Sequence, residues 1–107
     1  MKEVSTIKDY MDLYKKAKNL KYDHSGLQDK NGIYFLIKKN KIVYIGMSKW
    51  SIKKRVEQHY NKDYDIVKYI ELNYKDNIKL AEYVYINIFN PIYNKQNKNY
   101  EYQQLNK

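Results

Sequence analysis

The stretch NGIYFLIKKNKIVYIGMS, residues 31–48, decides the fold. From Gly32 onward apolar residues alternate: Ile33, Phe35 and Ile37 fall on one face and Tyr34 and Leu36 on the other, the period of two that marks a strand. Lys38-Lys39-Asn40-Lys41 is polar and suits a turn, and Ile42 to Ile45 returns as a second strand, so the segment predicts an antiparallel hairpin. Gly-Ile-Tyr opens it and Tyr-Ile-Gly closes it. A hairpin gains nothing structural from two tyrosines written at mirrored ends, so the repeat asks for a chemical reason.

Upstream, Ile7, Tyr10, Met11, Tyr14 and Ala17 recur at intervals of three and four. That spacing predicts an amphipathic helix over Ser5 to Lys21, with Ser5 or Thr6 as N-cap. Residues Lys21 to Asn31, with Asp23, Ser25, Gly26, Asp29 and Asn31, read as loop; His24 within it matches no motif. Downstream, Ile52, Val56 and Tyr60 predict a short helix over Ser51 to Asn61, which sets Arg55 and His59 one turn apart. Tyr64 to Leu72 is rich in β-branched and aromatic residues and reads as a third strand. Asp76 is a plausible N-cap for a helix from Asn77 to Phe89, stopped ahead of Pro91 because the residue before a proline avoids helical angles. The chain then divides into an N-terminal helix and loop (1–30), a central module (31–95) and a polar tail (96–107).

With 107 residues the chain is one domain with a single modest core. Cysteine is absent, which excludes disulfides, cysteine zinc sites and thiol nucleophiles and is compatible with a reducing, cytoplasmic setting. The first residues, MKEVSTIKDYM, contain no apolar signal core, and no run approaches the roughly 18 residues of a membrane helix. Lys plus Arg number 21 against 12 Asp plus Glu, a net charge of +9. Such an excess on so short a chain points to a polyanion such as nucleic acid, with a lysine-rich surface kept for solubility as the alternative. Arg55 is the single arginine. Its planar fork can hold a phosphate in two places at once, which no lysine does.

Glu82 is the oddest local feature, a carboxylate with Ile78, Tyr85, Ile86 and Phe89 above and below it on its own side of the predicted helix. Desolvating it is costly unless a cation or strong donors attend it. Either it is a surface residue paired with Lys79, or it borders a cleft and binds a divalent ion, since one protein carboxylate plus substrate phosphate oxygens and waters suffices for Mg²⁺. Trp50 reads as a cap on the core, with base stacking as the alternative.

Together these residues resemble the GIY-YIG nuclease family, in order from Gly32 to Asn94, about three-fifths of the chain. The likeness consists of Gly-Ile-Tyr at 32–34, Tyr-Ile-Gly at 44–46, Arg55 with His59 in the following helix, Glu82 in a late helix, and Asn-Pro-Ile-Tyr-Asn ending at Asn94. The resemblance implies a small α/β sandwich of the α+β kind, built on a central three-stranded antiparallel sheet flanked by helices. It further implies a divalent-metal-dependent DNA endonuclease using Mg²⁺ or Mn²⁺, with both tyrosines pointing to one face. By that likeness Tyr34 or Tyr44 positions or deprotonates a water while the other fixes the phosphate, Arg55 neutralises developing phosphoryl charge, and His59 relays a proton. Glu82 holds the ion, and Asn94 orients Glu82 or a phosphate oxygen. Lys41, Gly46, Lys49, Lys53 and Lys54 are the expected DNA contacts, with Lys41 or His59 assisting a tyrosine whose ordinary pKa of about 10 makes it a poor base. Relatives commonly carry a separate DNA-binding domain, so a homodimer or partner protein is expected to supply specificity. A non-catalytic basic adaptor on the same fold is the alternative function.

Overall fold

A computed structural model describes residues 6–20, 25–73 and 76–95. The predicted Ser5 cap, His24 and the 96–107 tail lie outside the described residues. The elements run α1 (Ile7–Lys15), β1 (Lys18–Leu20), a 3₁₀ turn (Ser25–Leu27), β2 (Gly32–Lys38), β3 (Lys41–Ser48), α2 (Ile52–Glu57), β4 (Ile66–Glu71) and α3 (Ile78–Phe89). The sheet is antiparallel with order β1-β4-β2-β3. It therefore has four strands, not the three expected. The addition is β1, a Lys-Asn-Leu segment with no strand pattern of its own, which pairs with β4 through Lys18↔Tyr69, Asn19↔Lys68 and Leu20↔Val67. Accordingly α1 ends at Lys15, short of the predicted Lys21.

Strand β2 lies in the middle and is buried on both sides from Gly32 to Ile37. Its alternation then sorts two cores. Ile33, Phe35 and Ile37, with Ile45 and Ile70, pack against Tyr10 of α1 and Ile78, Ala81 and Tyr85 of α3. Tyr34 and Leu36, with Tyr44, Val67 and Tyr69, pack against Leu27 and against Ile52 and Val56 of α2. Each such buried aliphatic or aromatic side chain contributes roughly 1.5–3 kcal/mol relative to exposure, so both helical layers are held by the same central strand. Helix α1 is capped by Thr6, whose Oγ1 accepts the Asp9 amide at 3.2 Å. Its stripe covers the sheet: Tyr14 lies edge-on to Phe35 with centroids 4.9 Å apart. Ile7, expected in the stripe, is exposed at the helix start.

The hairpin turn is the two-residue pair Lys39-Asn40, both with positive φ (50° and 64°), the conformation that matches strand twist. One register shift separates this turn from the tyrosines. Leu36 pairs with Tyr44, yet Ile37 pairs with Ile42, leaving Val43 as an extra residue. Continuing the Lys38↔Lys41 register without that bulge would set Tyr44 opposite Phe35 and turn it to the other face. The bulge thus reconciles a tight turn with two tyrosines on one side.

The remaining expectations shift by small amounts. Helix α2 stops at Glu57 rather than Asn61. Strand β4 spans Ile66–Glu71, inside the predicted limits. Helix α3 is capped by Asn77, whose Oδ1 accepts the Leu80 amide at 3.0 Å, while Asp76 instead accepts the Asn73 amide through Oδ2 at 3.1 Å. Trp50 is no core cap, being 88% exposed. Among the described residues no helix is long and apolar enough to cross a membrane.

Candidate active site

Strand β3 is the outer strand of the sheet on its side, so α2 on one face and α3 on the other can both reach past it. Between them opens a cleft of about 650 Å³, lined by Tyr44 of β3, Arg55 of α2, Lys79 and Glu82 of α3, Lys49 and Asn94 among others. On α3 the buried stripe is Ile78, Ala81 and Tyr85. Lys79, Glu82, Tyr83 and Ile86 follow helical spacing just beside it and form the wall of the cleft. Glu82 is half-buried for that reason: it borders the apolar stripe without belonging to it.

Tyr34 lies behind this cleft, fully buried, and opposite Gly46 in the sheet. A Cβ on residue 46 would stand 2.3 Å from both Cζ and the hydroxyl oxygen of Tyr34, so the bare glycine is what lets the phenol lie across β3. The other glycine of the pair has a backbone reason. Gly32 adopts φ +143°, and a Cβ there would meet the Ile70 carbonyl oxygen of β4 at 2.0 Å.

Laid over Gly46, the Tyr34 hydroxyl reaches Nε2 of His59 at 2.7 Å. The Tyr44 ring stands 4.5 Å from the His59 ring and 6.2 Å from that of Tyr34, centroid to centroid. Burial drives the Tyr34 pKa well above the ordinary tyrosine value; the Tyr44 and Glu82 charges raise it further, whereas the charge and a hydrogen bond of Arg55 oppose the rise. Arg55 and Glu82, from helices on opposite faces of the sheet, therefore both act on one phenol. His59 is held down to a pKa of about 4, by burial first and then by the positive charges of Lys62 and Arg55. At neutral pH Tyr34 is protonated and His59 uncharged, and one proton lies between them with its position set by the imidazole tautomer.

This depressed histidine has a consequence for stability. In the unfolded chain His59 takes up a proton below about pH 6.5, whereas the folded protein refuses it until about pH 4. The stabilisation is complete above the unfolded value and is lost as pH falls across that window, a change of about 2–4 kcal/mol. Urea denaturation at intervals from pH 7 to pH 4 measures it. His59→Gln, which cannot titrate, is expected to show a flatter profile; identical slopes for the two proteins would contradict the assignment.

Asn94 has a different position from the one expected. Helix α3 ends at Asn90, in the left-handed conformation (φ 50°), and Pro91 cannot continue it. Residues 92–95 make one further helical turn. That turn presents the Asn94 carboxamide to β3: Ile45 N donates to Oδ1 at 2.7 Å, and Nδ2 donates to the Ile45 carbonyl at 2.8 Å. Asn94 borders the cleft, but its amide clamps the strand that carries Tyr44 and Gly46.

The expected DNA contacts divide. Lys49 lines the cleft. Lys41 is exposed at the hairpin turn, Lys53 lies 4.0 Å from Glu57, and Lys54 is exposed on α2; none of the three lines the cleft. Of the two groups expected beside a tyrosine, His59 is in place and Lys41 is not; Lys62 instead sits with its Nζ 5.0 Å over the Tyr44 ring, its pKa lowered by burial. Sequence reasoning passed over Lys62 because nothing distinguishes it among so many lysines except its one-turn spacing from His59, and it weighed Lys79 only as a surface partner of Glu82, not as a wall of the cleft.

No cluster of three or more His, Asp or Glu side chains gathers in metal-binding geometry among the described residues. The fit to a divalent ion is instead that of a single hard oxygen donor: Glu82 is the one carboxylate among the described residues that line the cleft, with Arg55 and Lys79 placed to bring an anion beside it. This donor set suits Mg²⁺ or Mn²⁺ completed by phosphate oxygens and water, and not zinc.

No family model matches the chain, and no curated protein or solved structure matches it either.

Proposed function

We propose that the chain is a nuclease of the GIY-YIG type that hydrolyses DNA phosphodiester bonds with the help of Mg²⁺ or Mn²⁺. The α+β sandwich supports this reading, although its sheet carries one strand more than the likeness implies. One observation carries it: Arg55 and Glu82, borne by helices on opposite faces of the sheet, line one cleft and act on the same phenol.

A phosphodiester entering the cleft meets Lys49 and Lys79 as point charges and Arg55 as a fork. The guanidinium neutralises the charge that grows on the non-bridging oxygens as a water oxygen attacks in line and the bond to the 3′ oxygen breaks. Glu82 holds the divalent ion, which when bound supplies Lewis-acid polarisation of the phosphoryl group. Tyr44, at the cleft wall, orients the attacking water. The proton leaves by way of Tyr44 towards the His59 ring beside it, whose Nε2 the fully buried Tyr34 hydroxyl holds, and the departing 3′ oxygen takes its proton from solvent. Arg55 depresses the basicity of His59 in the free protein. A bound phosphate offsets that charge, so His59 becomes a better proton acceptor when substrate is in place. The clamp of Asn94 on Ile45 fixes the strand on which the tyrosines depend.

The test is incubation of pure protein with supercoiled plasmid in Mg²⁺ or Mn²⁺. Conversion to open-circular or linear DNA, abolished by chelator, is the expected result. Plasmid and single-stranded circular DNA that are both bound at low salt but stay intact would assign the non-catalytic adaptor role instead.

A further inference from the structure

Trp50 is 88% exposed and Tyr83 63% exposed, yet both line the cleft that contains Arg55. An indole left in water on a small domain forgoes the largest apolar burial any side chain offers, and its immediate surroundings show that it is displayed by design of the loop. The buried Ser48 hydroxyl accepts the amides of Trp50 (3.2 Å) and Ser51 (2.9 Å), and Ser51 in turn caps α2 by accepting the Lys54 amide at 3.3 Å. The Trp50 backbone is thus pinned on both sides while its ring projects outward.

Basic groups flank the ring. Lys49, Trp50 and Lys79 line the main cleft and also a second hollow of about 340 Å³, whose further lining includes Asn31 and Asn77. Trp50, with Lys49 and Lys79, therefore borders both the cleft that holds Arg55 and the smaller hollow, whose lining also includes the Asp76 carboxylate. Tyr83 lies one helical turn from Lys79 and adds a second aromatic face on the cleft side. Aromatic faces alternating with cations are what a nucleic-acid strand with exposed bases requires: phosphates pair with the cations and bases stack on the rings. Paired bases cannot use such a surface, because in a duplex their faces are covered by neighbours and only their edges are open.

We infer that Trp50 and Tyr83 form a base-stacking platform at the mouth of the cleft, and that the preferred substrate is DNA with unpaired bases beside the scissile phosphate. This inference rests on the nuclease reading for the word substrate, but its test does not depend on cleavage. Trp50 is the only tryptophan in the chain, so its emission reports directly on stacking. In chelator, without divalent ion, a short oligothymidylate is expected to quench it. Labelled oligothymidylate should bind Trp50→Ala about tenfold more weakly than wild type, with Tyr83→Ala shifted in the same direction and Trp50→Phe largely retaining affinity. Affinity for a duplex of equal length should change by less than about twofold. Both side chains are exposed, so these variants fold as the wild type does. Absence of quenching, or equal losses on single strand and duplex, would overturn the inference. The two readings fail separately: quenching with neither plasmid nor single-stranded circular DNA cleaved in Mg²⁺ or Mn²⁺ removes the enzyme and keeps the platform, whereas cleavage with Trp50→Ala indifferent to strand state removes the platform and keeps the enzyme. Failure to bind either DNA at low salt removes both.

Discussion

Arg55→Ala is expected to reduce single-turnover DNA cleavage by about 10²–10³-fold while leaving the fold intact, because one preorganised donor facing transition-state charge carries that much. The side chain is exposed, meets Gln58 Oε1 at only 3.4 Å and acts on the Tyr34 phenol, so its removal should change stability by no more than about 1.5 kcal/mol. Affinity should fall modestly, since Arg55 is one cation among 21, and the salt dependence should lose roughly one phosphate contact. Arg55→Lys separates charge from shape. It preserves the positive charge but not the two-pronged geometry, and it is expected to recover less than about a tenth of the lost rate. Cleavage by Arg55→Ala within about tenfold of wild type, measured with enzyme in excess, would show that the guanidinium is not what stabilises the phosphoryl oxygens.

Gly46→Ala should be among the most damaging small substitutions in the chain, beside any at Gly32, where backbone and φ both forbid a side chain. The added methyl would lie 2.3 Å from two atoms of Tyr34, a side chain with no exposed surface whose hydroxyl is anchored to His59. A buried aromatic ring cannot swing aside as a lysine tip could, so the cost should sit near the top of the overpacking range, about 3 kcal/mol. For a domain whose whole stability is about 5–15 kcal/mol, that is a large share. Denaturant midpoints measure it, and two controls sharpen the reading. Gly26→Ala, with nothing within 4 Å of the new methyl, should be near neutral. In a Tyr34→Ala background the second change at Gly46 should cost little, since its obstacle is gone. Equal costs in both backgrounds would place the effect in the backbone and not in the ring.

How far sequence carried the structure depends on the size of the signal. The hairpin and the sorting of Ile33, Phe35 and Ile37 from Tyr34 and Leu36 were legible because β2 is buried on both faces and alternation has full contrast there. Strand β1 was not legible: Lys-Asn-Leu has no β pattern, and pairing with β4 alone defines it. The bulge at Val43 was equally invisible, although it governs where Tyr44 points, because register emerges from the competition between turn geometry and facing, not from either strand by itself. Glu82 announced itself by polarity at the margin of an apolar stripe, and Arg55 by being alone of its kind. Asn94 was legible as a site-bordering residue but not as a clamp, since only the turn after Pro91 reveals that its amide meets Ile45. Trp50 misled because indoles usually seek burial.

That clamp has an effect beyond the single molecule. The outermost strand of a sheet ordinarily invites another chain to add itself by backbone pairing. At Ile45 the vacant rung is already filled by a side chain that mimics the donor and acceptor of a visiting strand. An incoming polypeptide would have to evict a carboxamide whose surroundings are buried, so self-recruitment along this rim, the first step toward fibrous association, is obstructed by one asparagine.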